Sequence, residues 1–292
     1  MSSPHGPAGA DLPGALSSDV TSAGVFRAVV DGYDAVYAAQ PGAETFNRIW
    51  RTSAYGGDFP AEFAHISFLT RGEGSRVLQL LAVGEADALV DVACGTGGPG
   101  LWAAQQTGAR LTGIDPSAAG LAAAKRRADS TGLAERARFR QGTFEHTGLG
   151  DCSADAVMSI DAFQYAPDKR SALAELLRIL RPGGRLAFIA FEVDPSKVTG
   201  LPVIGVDPVP DYVPLLQDAG FTVEIYEETP GWQERVYAAF GAVVKSSHAI
   251  EEEMGQNGAA GAVAEAMLTV QIRPYPRRIL AAARRPAGQA GA

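Results

Sequence analysis

Residues suited to ligand chemistry first appear in the segment 89–100, which reads LVDVACGTGGPG. An apolar run enters a cluster of small residues there. Gly95 and Gly97 allow the backbone to turn tightly and to lie against a ligand with no Cβ in the way. Asp91 lies inside the apolar run, so it needs a polar partner if it is buried. This pattern predicts a strand followed by a ligand-holding loop, which many nucleotide-binding folds share.

A second acid follows at the end of another apolar run, LTGID over residues 111–115. Asp115 comes fifteen residues after Gly100, which leaves room for one helix and one strand between them. A carboxylate at the tip of the second strand of a βαβ unit can accept hydrogen bonds from both hydroxyls of a ribose. The two segments together predict a nucleoside-binding site.

The pattern D-x-A-C-G-T-G followed by G-I-D-P-S resembles the class I S-adenosylmethionine-dependent methyltransferases, over residues 80–191. The resemblance implies an α/β fold with a Rossmann-like seven-stranded methyltransferase sheet, a helical N-terminal lid and a late helical insertion. It implies S-adenosyl-L-methionine as the cofactor. The matching positions that would contact it are Asp91, Ala93, Gly95, Gly97, Asp115 and Pro116. The alternative is another Rossmann-like nucleotide binder.

Further cofactor contacts are expected after the third strand. The family places a Gly-Asp pair there, against the adenine amino group. This sequence has Gly142 and then Thr143 in place of the acid, followed by Phe144. A threonine hydroxyl can still accept a hydrogen bond, and the backbone of Phe144 can contribute. Core packing is the competing interpretation of Phe144.

The segment 155–165 resembles the family's fourth strand and the loop after it, which lies beside the reactive sulfonium. Asp161 is therefore predicted to hold the methionine end of the cofactor or to polarise the acceptor. Gln164 stands near a position where several small-molecule relatives carry a histidine base, but glutamine cannot take a proton at neutral pH. Tyr33 lies where relatives close a lid over the cofactor.

Candidates for a catalytic base must therefore be sought elsewhere, unless the base is absent. Methyl transfer is an in-line displacement, and alignment supplies much of the reduction in the barrier. A phenol acceptor benefits from a base, whereas an amine needs only to be neutral. The catalytic candidates are His65, His248, Glu192 and Asp161. For each histidine the competing interpretation is a packing or surface role.

Hydrophobic periodicity predicts the elements that position these residues. Helices are expected over 25–39, 43–51 and 70–82, the last with Thr70 as N-cap and Glu73 closing a capping box. Strands and helices then alternate, which predicts a parallel sheet covered on both faces. Residues 231–270 are expected to be helical with an interruption over 255–261. The predicted division is a disordered tail (1–20), a helical cover (21–85), a cofactor-binding core (86–227), a helical insertion (228–275) and a last strand with a tail (276–292).

Composition limits the partners. The 292 residues include 46% hydrophobic and 20% charged residues, as in a globular protein with a sizeable core, and the formal net charge is −8. This charge argues against a nucleic-acid partner. Arg277, Arg278, Arg284 and Arg285 are interpreted as the solvated ends of a terminal strand. The apolar runs are too short for a membrane span, and the two cysteines suggest neither a disulfide framework nor a metal site. The first 20 residues do not resemble a signal peptide. A cytoplasmic location is therefore expected.

These observations favour methyl transfer to a small-molecule acceptor, with oxygen methylation in natural-product biosynthesis as the main hypothesis. One alternative is a C-methyltransferase acting on an isoprenoid or aromatic ring. Another is a methyltransferase-like cyclase that binds the cofactor without transferring methyl. No metal is expected, and a homo-oligomer is left open.

Overall fold

A computed structural model describes residues 22–55, 59–63, 66–198 and 205–287. The predicted tail over residues 1–20 and the candidate base His65 lie outside the described residues. The strands are β1 (Ala88–Val92), β2 (Arg110–Asp115), β3 (Ala137–Gln141), β4 (Ala154–Ile160), β5 (Leu180–Glu192), β6 (Thr222–Glu228) and β7 (Arg277–Arg284).

These strands form one sheet in the order β3-β2-β1-β4-β5-β7-β6. The first five pair in parallel, and β7 runs antiparallel between β5 and β6. The chain leaves β1 toward β2 and β3 on one side and later returns to place β4 on the other side. Such a reversal opens a crevice at the carboxyl ends of the strands, where α/β sheets bind ligands. The predicted seven-stranded Rossmann-like fold is confirmed.

The helices are α1 (Ser22–Ala39), α2 (Glu44–Ile49), α3 (Arg71–Leu81), α4 (Gly98–Thr107), α5 (Ala118–Ser130), α6 (Lys169–Ile179), α7 (Val213–Asp218), α8 (Trp232–Lys245) and α9 (Ser247–Gln271). A π-helical turn, Trp50–Ala54, continues α2. The start of α3 has the predicted capping box, because Thr70 accepts from the Glu73 backbone and Glu73 accepts from the Thr70 backbone.

Three apolar clusters hold these elements together. One packs α3, α4 and α5 on a face of the sheet, and a second packs α6 and α7 on the other. The third joins α1, α2, α8 and α9 into a cover over the carboxyl ends of the strands. Aromatic rings fill its centre, where Trp50 stacks on Phe46 at a centroid distance of 4.7 Å. Both rings are buried, so they form the core of the cover.

The interruption predicted over residues 255–261 is wrong except at its first residue. Gly255 has a non-helical backbone, and α9 then continues unbroken to Gln271. The later glycines serve close packing against α1. A Cβ on Gly261 would lie 3.3 Å from the Gly32 Cα, and one on Gly258 would lie 2.9 Å from the Ala39 Cβ. Small residues let the two helices approach, so these glycines mark an interface.

The segment 181–184 lies within β5. The pairing partner of Ala154 is Leu180, and that of Ala156 is Arg185, so four residues bulge out of the ladder between them. Gly183 has a positive φ of 81° in this bulge. β5 therefore starts at Leu180, on the far side of the bulge from Arg185.

Candidate functional site

The loop after β1 is held to the end of β2 by one carboxylate. Asp115 accepts the backbone N–H of Gly95 at 2.7 Å on one oxygen and that of Ser117 at 2.8 Å on the other. The loop adopts left-handed backbone at Ala93, Gly95 and Gly97, with φ of 60°, 51° and 76°. Glycine carries little strain there, and these turns let the loop fold back onto β2.

Asp115 keeps hydrogen-bonding capacity toward the cleft. A carboxylate has about four lone-pair sites, and the two backbone donors use one on each oxygen. Burial raises the pKa of Asp115 to about 6, although the donors from Ser117 and Gly95 act in the opposite direction. The group is therefore ionised at neutral pH, and it can accept from two hydroxyls of a ligand.

Helix α1 fastens the cover to the start of α5 and also lies over the loop after β1. Asp34 accepts the Ser117 hydroxyl at 2.6 Å and the backbone N–H of Ala119 at 2.9 Å, at the start of α5. One turn further on, Tyr37 lies directly over the loop, since a Cβ on Gly95 would be 2.6 Å from its hydroxyl oxygen. Helix α1 therefore closes one wall of the site.

Asp91 lies beneath the loop. It is 2% exposed, and a Cβ on Gly100 would be 2.5 Å from its carboxylate. Burial, together with the nearby charge of Asp115, raises its pKa to about 8, against a hydrogen bond from the Gly100 backbone. Asp91 therefore carries a proton for much of its time at neutral pH and braces the start of α4.

A cleft of about 680 Å³, part of it open to solvent, runs over the ends of β3, β2, β1 and β4. Eight of the predicted cofactor residues line it: Tyr33, Ala93, Asp115, Pro116, Gly142, Thr143, Phe144 and Asp161. The other four, Asp91, Gly95, Gly97 and Gln164, lie beneath or beside it. Its apolar wall comes mainly from α1, through Phe26, Val29 and Val30, with Ile66 beside them.

At the β3 end of the cleft, Thr143 replaces the acid of the family pattern. The hydroxyl of Thr143 accepts the His146 backbone N–H at 3.2 Å, and the Thr143 N–H donates to the His146 carbonyl at 3.1 Å. Phe144 is 3% exposed and meets Phe163 edge-to-face at a centroid distance of 5.2 Å. Phe144 therefore packs in the core while also reaching the cleft.

Asp161 lies at the β4 end and has its carboxylate oxygens occupied. Arg278 donates to both of them, from Nε at 2.7 Å and from Nη2 at 3.0 Å, and the Phe68 N–H donates to one at 2.9 Å. Arg278 is fully buried and also donates to Glu73 at 2.9 Å and to Thr229 at 3.0 Å. The interpretation of Arg278 as a solvated strand end is therefore wrong. With its oxygens occupied by these donors, Asp161 is suited to hold the loop after β4 in position.

Gln164 lies outside the cleft lining. Its amide nitrogen donates to the Asp161 carbonyl at 2.7 Å, and its amide oxygen accepts the Phe191 N–H at 3.4 Å. Its backbone carbonyl, with those of Ala166 and Val206, receives the buried Lys169 ammonium. Gln164 thus fixes the loop after β4.

Two of the predicted bases are placed outside the cleft lining. The side chain of His248 is 87% exposed and pairs with Glu252 at 3.5 Å. Glu192 is buried at the end of β5, where it accepts from the Tyr226 hydroxyl at 2.5 Å and from Arg277 at 2.7 Å. Burial raises the pKa of Glu192 despite these donors. Glu192 thus joins β5 to β6 and β7, and its role in this position is structural.

Sequence analysis missed a partly buried acid beside the cleft. Glu265 on α9 accepts from the Tyr33 hydroxyl at 3.0 Å and from the Tyr165 hydroxyl at 2.5 Å, and the two hydroxyl oxygens are 3.2 Å apart. Both tyrosines line the cleft. We call these three residues the acid–tyrosine cluster. The sequence contains one signal that could have identified Glu265. It is the single charged residue in the run GAAGAVAEAMLTV over residues 258–270.

Within the described residues, no group of three or more His, Cys, Asp or Glu side chains is arranged to hold a metal ion. None of the helices in the same ranges has the length and apolar character needed to cross a membrane.

Residues 90–188 match the family model described as a methyltransferase domain. The chain is similar to "Methyltransferase GfsG" of Streptomyces halstedii, with 36% identity over 112 residues, which cover 38% of this chain and about two fifths (40%) of that protein. It is also similar to "27-O-demethylrifamycin SV methyltransferase" of Amycolatopsis mediterranei, with 27% identity over 69% of this chain and 78% of that protein.

Among solved structures, the "[4+2]-Cyclase SpnF" superposes with a TM-score of 0.70 at 22% identity. The superposition covers 92% of this chain and 97% of that one. At this identity the likeness establishes the fold, which includes the cover as well as the sheet.

Proposed function

We propose that this chain, which belongs to the class I S-adenosylmethionine-dependent methyltransferases, transfers the methyl group of S-adenosylmethionine to a small organic acceptor. The observation that carries the proposal is the carboxylate of Asp115, fixed between two backbone N–H donors and open toward the cleft. When bound, the cofactor supplies a methyl group already activated by a positively charged sulfur.

The residues along the cleft fit this cofactor in order. Gly142, Thr143 and Phe144 after β3 would contact the adenine, and Asp115 after β2 would hold the ribose. The left-handed loop after β1 would lie against the sugar and the methionine end. Because β4 follows β1 in the sheet, the sulfur and its methyl group belong between Ala93 and the β4 end.

The acceptor belongs on the α1 side of the same cleft. Phe26, Val29, Val30 and Ile66 present an apolar surface that suits a small organic molecule. The cover excludes water and fixes the approach of the acceptor, and these are the main contributions that a displacement at an activated carbon requires. The net charge of −8 also favours a small molecule over a nucleic acid.

Oxygen is the proposed acceptor atom. Support comes from the similarity to the rifamycin relative, whose name specifies an O-methyl transfer, and from the partly buried carboxylate of Glu265 near the cleft, which can take the hydroxyl proton. Carbon methylation of an isoprenoid or aromatic ring is the alternative within the same chemistry. The similarity to a cyclase rests on the fold alone, so cyclase activity without methyl transfer remains an outcome for the assay to decide.

Calorimetry with S-adenosylhomocysteine tests the cofactor site. Asp115→Ala removes two hydrogen bonds to a charged acceptor, each worth about 1.5–3 kcal/mol, so we expect affinity to fall roughly 100-fold or more. Asp129→Ala, an exposed acid on α5, is the matched control and should bind as the wild type does. Thermal melting of the variant shows whether a loss of affinity comes from missing ligand contacts or from a loop that is no longer held in place. Undiminished affinity in folded Asp115→Ala would contradict the proposal.

Transfer itself is tested by incubating the protein with methyl-labelled S-adenosylmethionine and a panel of hydroxylated polyketides and phenols. Label transfer to oxygen supports the proposal. Transfer to carbon supports the alternative, and acceptor conversion without label transfer supports a cyclase.

A further inference from the structure

We propose that Glu265 is the proton acceptor of the transfer, ionised while the cofactor's sulfur bears its methyl group and protonated after the methyl has left. This inference rests on the proposed function, because it assumes that the cleft holds S-adenosylmethionine. It is carried by three observations: the hydrogen bonds of the acid–tyrosine cluster, its place along the sheet edge, and the charges around it.

The cluster gives the carboxylate a route to the cleft. Each oxygen of Glu265 accepts from a different tyrosine, Tyr33 from the cover and Tyr165 from the turn after β4. Both tyrosines line the cleft, whereas Glu265 lies behind them. When a tyrosine oxygen receives a proton from the acceptor, the tyrosine's own hydroxyl proton can therefore pass to Glu265.

The order of strands places the cluster at the reacting end. Asp115 marks the sugar over β2, and Tyr165 lies beyond β1, just after β4. A ligand that runs from β3 toward β4 brings its sulfur to the neighbourhood of Tyr33 and Tyr165, on the same side as the apolar wall of α1.

Among the described residues, the groups that shift the pKa of Glu265 include no positive charge. Burial raises its pKa, the two tyrosine donors lower it, and the nearby charge of Asp161 raises it again. Asp161 is itself paired with Arg278 of β7. Tyr37, a further titratable neighbour on α1, is neutral, because burial raises its pKa. A cationic sulfur would supply the missing counter-charge.

The step balances in atoms and charge. The acceptor oxygen forms a bond to the methyl carbon as the sulfur–carbon bond breaks, and that bonding pair stays on sulfur. The hydroxyl proton of the acceptor passes through a tyrosine hydroxyl to Glu265. One positive and one negative charge therefore disappear together, which spares the buried site an unpaired charge at either end of the reaction.

Proton counting by calorimetry tests this without an acceptor. Binding of S-adenosylmethionine and of S-adenosylhomocysteine is measured in two buffers of different ionisation enthalpy, between pH 5 and pH 8. The methylated compound should release more protons than the demethylated one, by up to one proton where free Glu265 is protonated. Glu265→Gln should abolish the difference while it still binds S-adenosylhomocysteine within about threefold. Glu251→Gln, an exposed acid on the same helix, should behave as the wild type does.

A second pair of variants keeps the test decisive if Glu265→Gln fails to fold. Tyr165→Phe and Tyr33→Phe each remove a donor that favours the charged carboxylate, so the pH window of the extra proton release should move upward. Equal proton release for both compounds in the wild type, or a difference that survives Glu265→Gln, would overturn the role of Glu265. If neither compound binds the wild type, the proposed function itself fails.

Discussion

Arg278 and Asp161 form a bidentate ion pair across the edge of the site, with Nε–Oδ1 and Nη2–Oδ2 distances of 2.7 and 3.0 Å. The arginine comes from β7, near the end of the chain, and the acid from the turn after β4. Asp161 has a left-handed backbone with φ of 52°, which the arginine and the Phe68 N–H help to hold. The pair therefore ties the last antiparallel strand to the loop that shapes the cleft.

Removing Arg278 should be strongly destabilising. Arg278→Met leaves the carboxylates of Asp161 and Glu73 buried without this guanidinium, and breaking a buried pair typically costs about 3–5 kcal/mol. Urea unfolding measures the loss. Arg284→Met, on the same strand and 47% exposed beside Glu224, is the control and should change stability by less than about 1 kcal/mol. A similar, small loss in both variants would show that the buried network contributes little.

The loop after β1 should depend on Gly97 for space as well as for backbone freedom. A Cβ there would lie 2.9 Å from the Ala124 Cβ, whereas one on Gly132 would meet no atom of the described residues within 4 Å. Both glycines have φ above 70°. Gly132→Ala should therefore cost only the strain of a left-handed residue, about 1–2 kcal/mol. Gly97→Ala should cost more and should also lower affinity for S-adenosylhomocysteine at least tenfold. Equal losses of stability and unchanged affinity in Gly97→Ala would contradict the assignment of this loop.

Asp91 should make stability fall as pH rises. Its pKa is about 8 in the folded protein against 3.8 as the ordinary value, so between these pH values the folded state binds more protons than the unfolded state. The free energy of unfolding therefore falls by up to about 1.4 kcal/mol per pH unit in that window, and the decrease levels off above about pH 8.

Asp91→Asn lacks this titration and keeps an oxygen to accept from the Gly100 N–H. Its stability relative to the wild type should therefore rise steadily from pH 5 to pH 8, as measured by urea unfolding at each pH. Asp115, whose pKa is raised to about 6, acts in the same direction in both proteins. A pH-independent difference between them would show that Asp91 is ionised throughout.

His248 should be dispensable for the cofactor site. Its side chain is 87% exposed and makes an i,i+4 contact with Glu252, an interaction worth at most about 0.5 kcal/mol. We expect His248→Ala to bind S-adenosylhomocysteine within twofold of the wild type and to transfer methyl at an unchanged rate. A tenfold or larger loss of transfer would restore His248 as a candidate base.

Local sequence was sufficient to predict the framework. Alternating apolar segments predicted the parallel strands, but not the antiparallel insertion of β7 between β5 and β6. Thr70 and Glu73 predicted a capping box that the structure contains, and the glycine loop with Asp115 predicted a ligand-holding turn at adjoining strand ends. These features depend on neighbours a few residues away or on a repeating βαβ unit. Short-range periodicity and turn chemistry are enough to specify them.

The partners of Asp161, Arg278 and Glu265 depended on the tertiary structure. Arg278 reaches an acid 117 positions earlier in the chain, and Glu265 meets a tyrosine 232 positions away. No periodicity relates such residues, because their contact depends on how β7 inserts in the sheet and how α9 crosses α1. The sequence alone thus determined the fold and the expected nucleoside cleft. Only tertiary packing decided which charges are buried, since burial depends on elements that are distant in sequence.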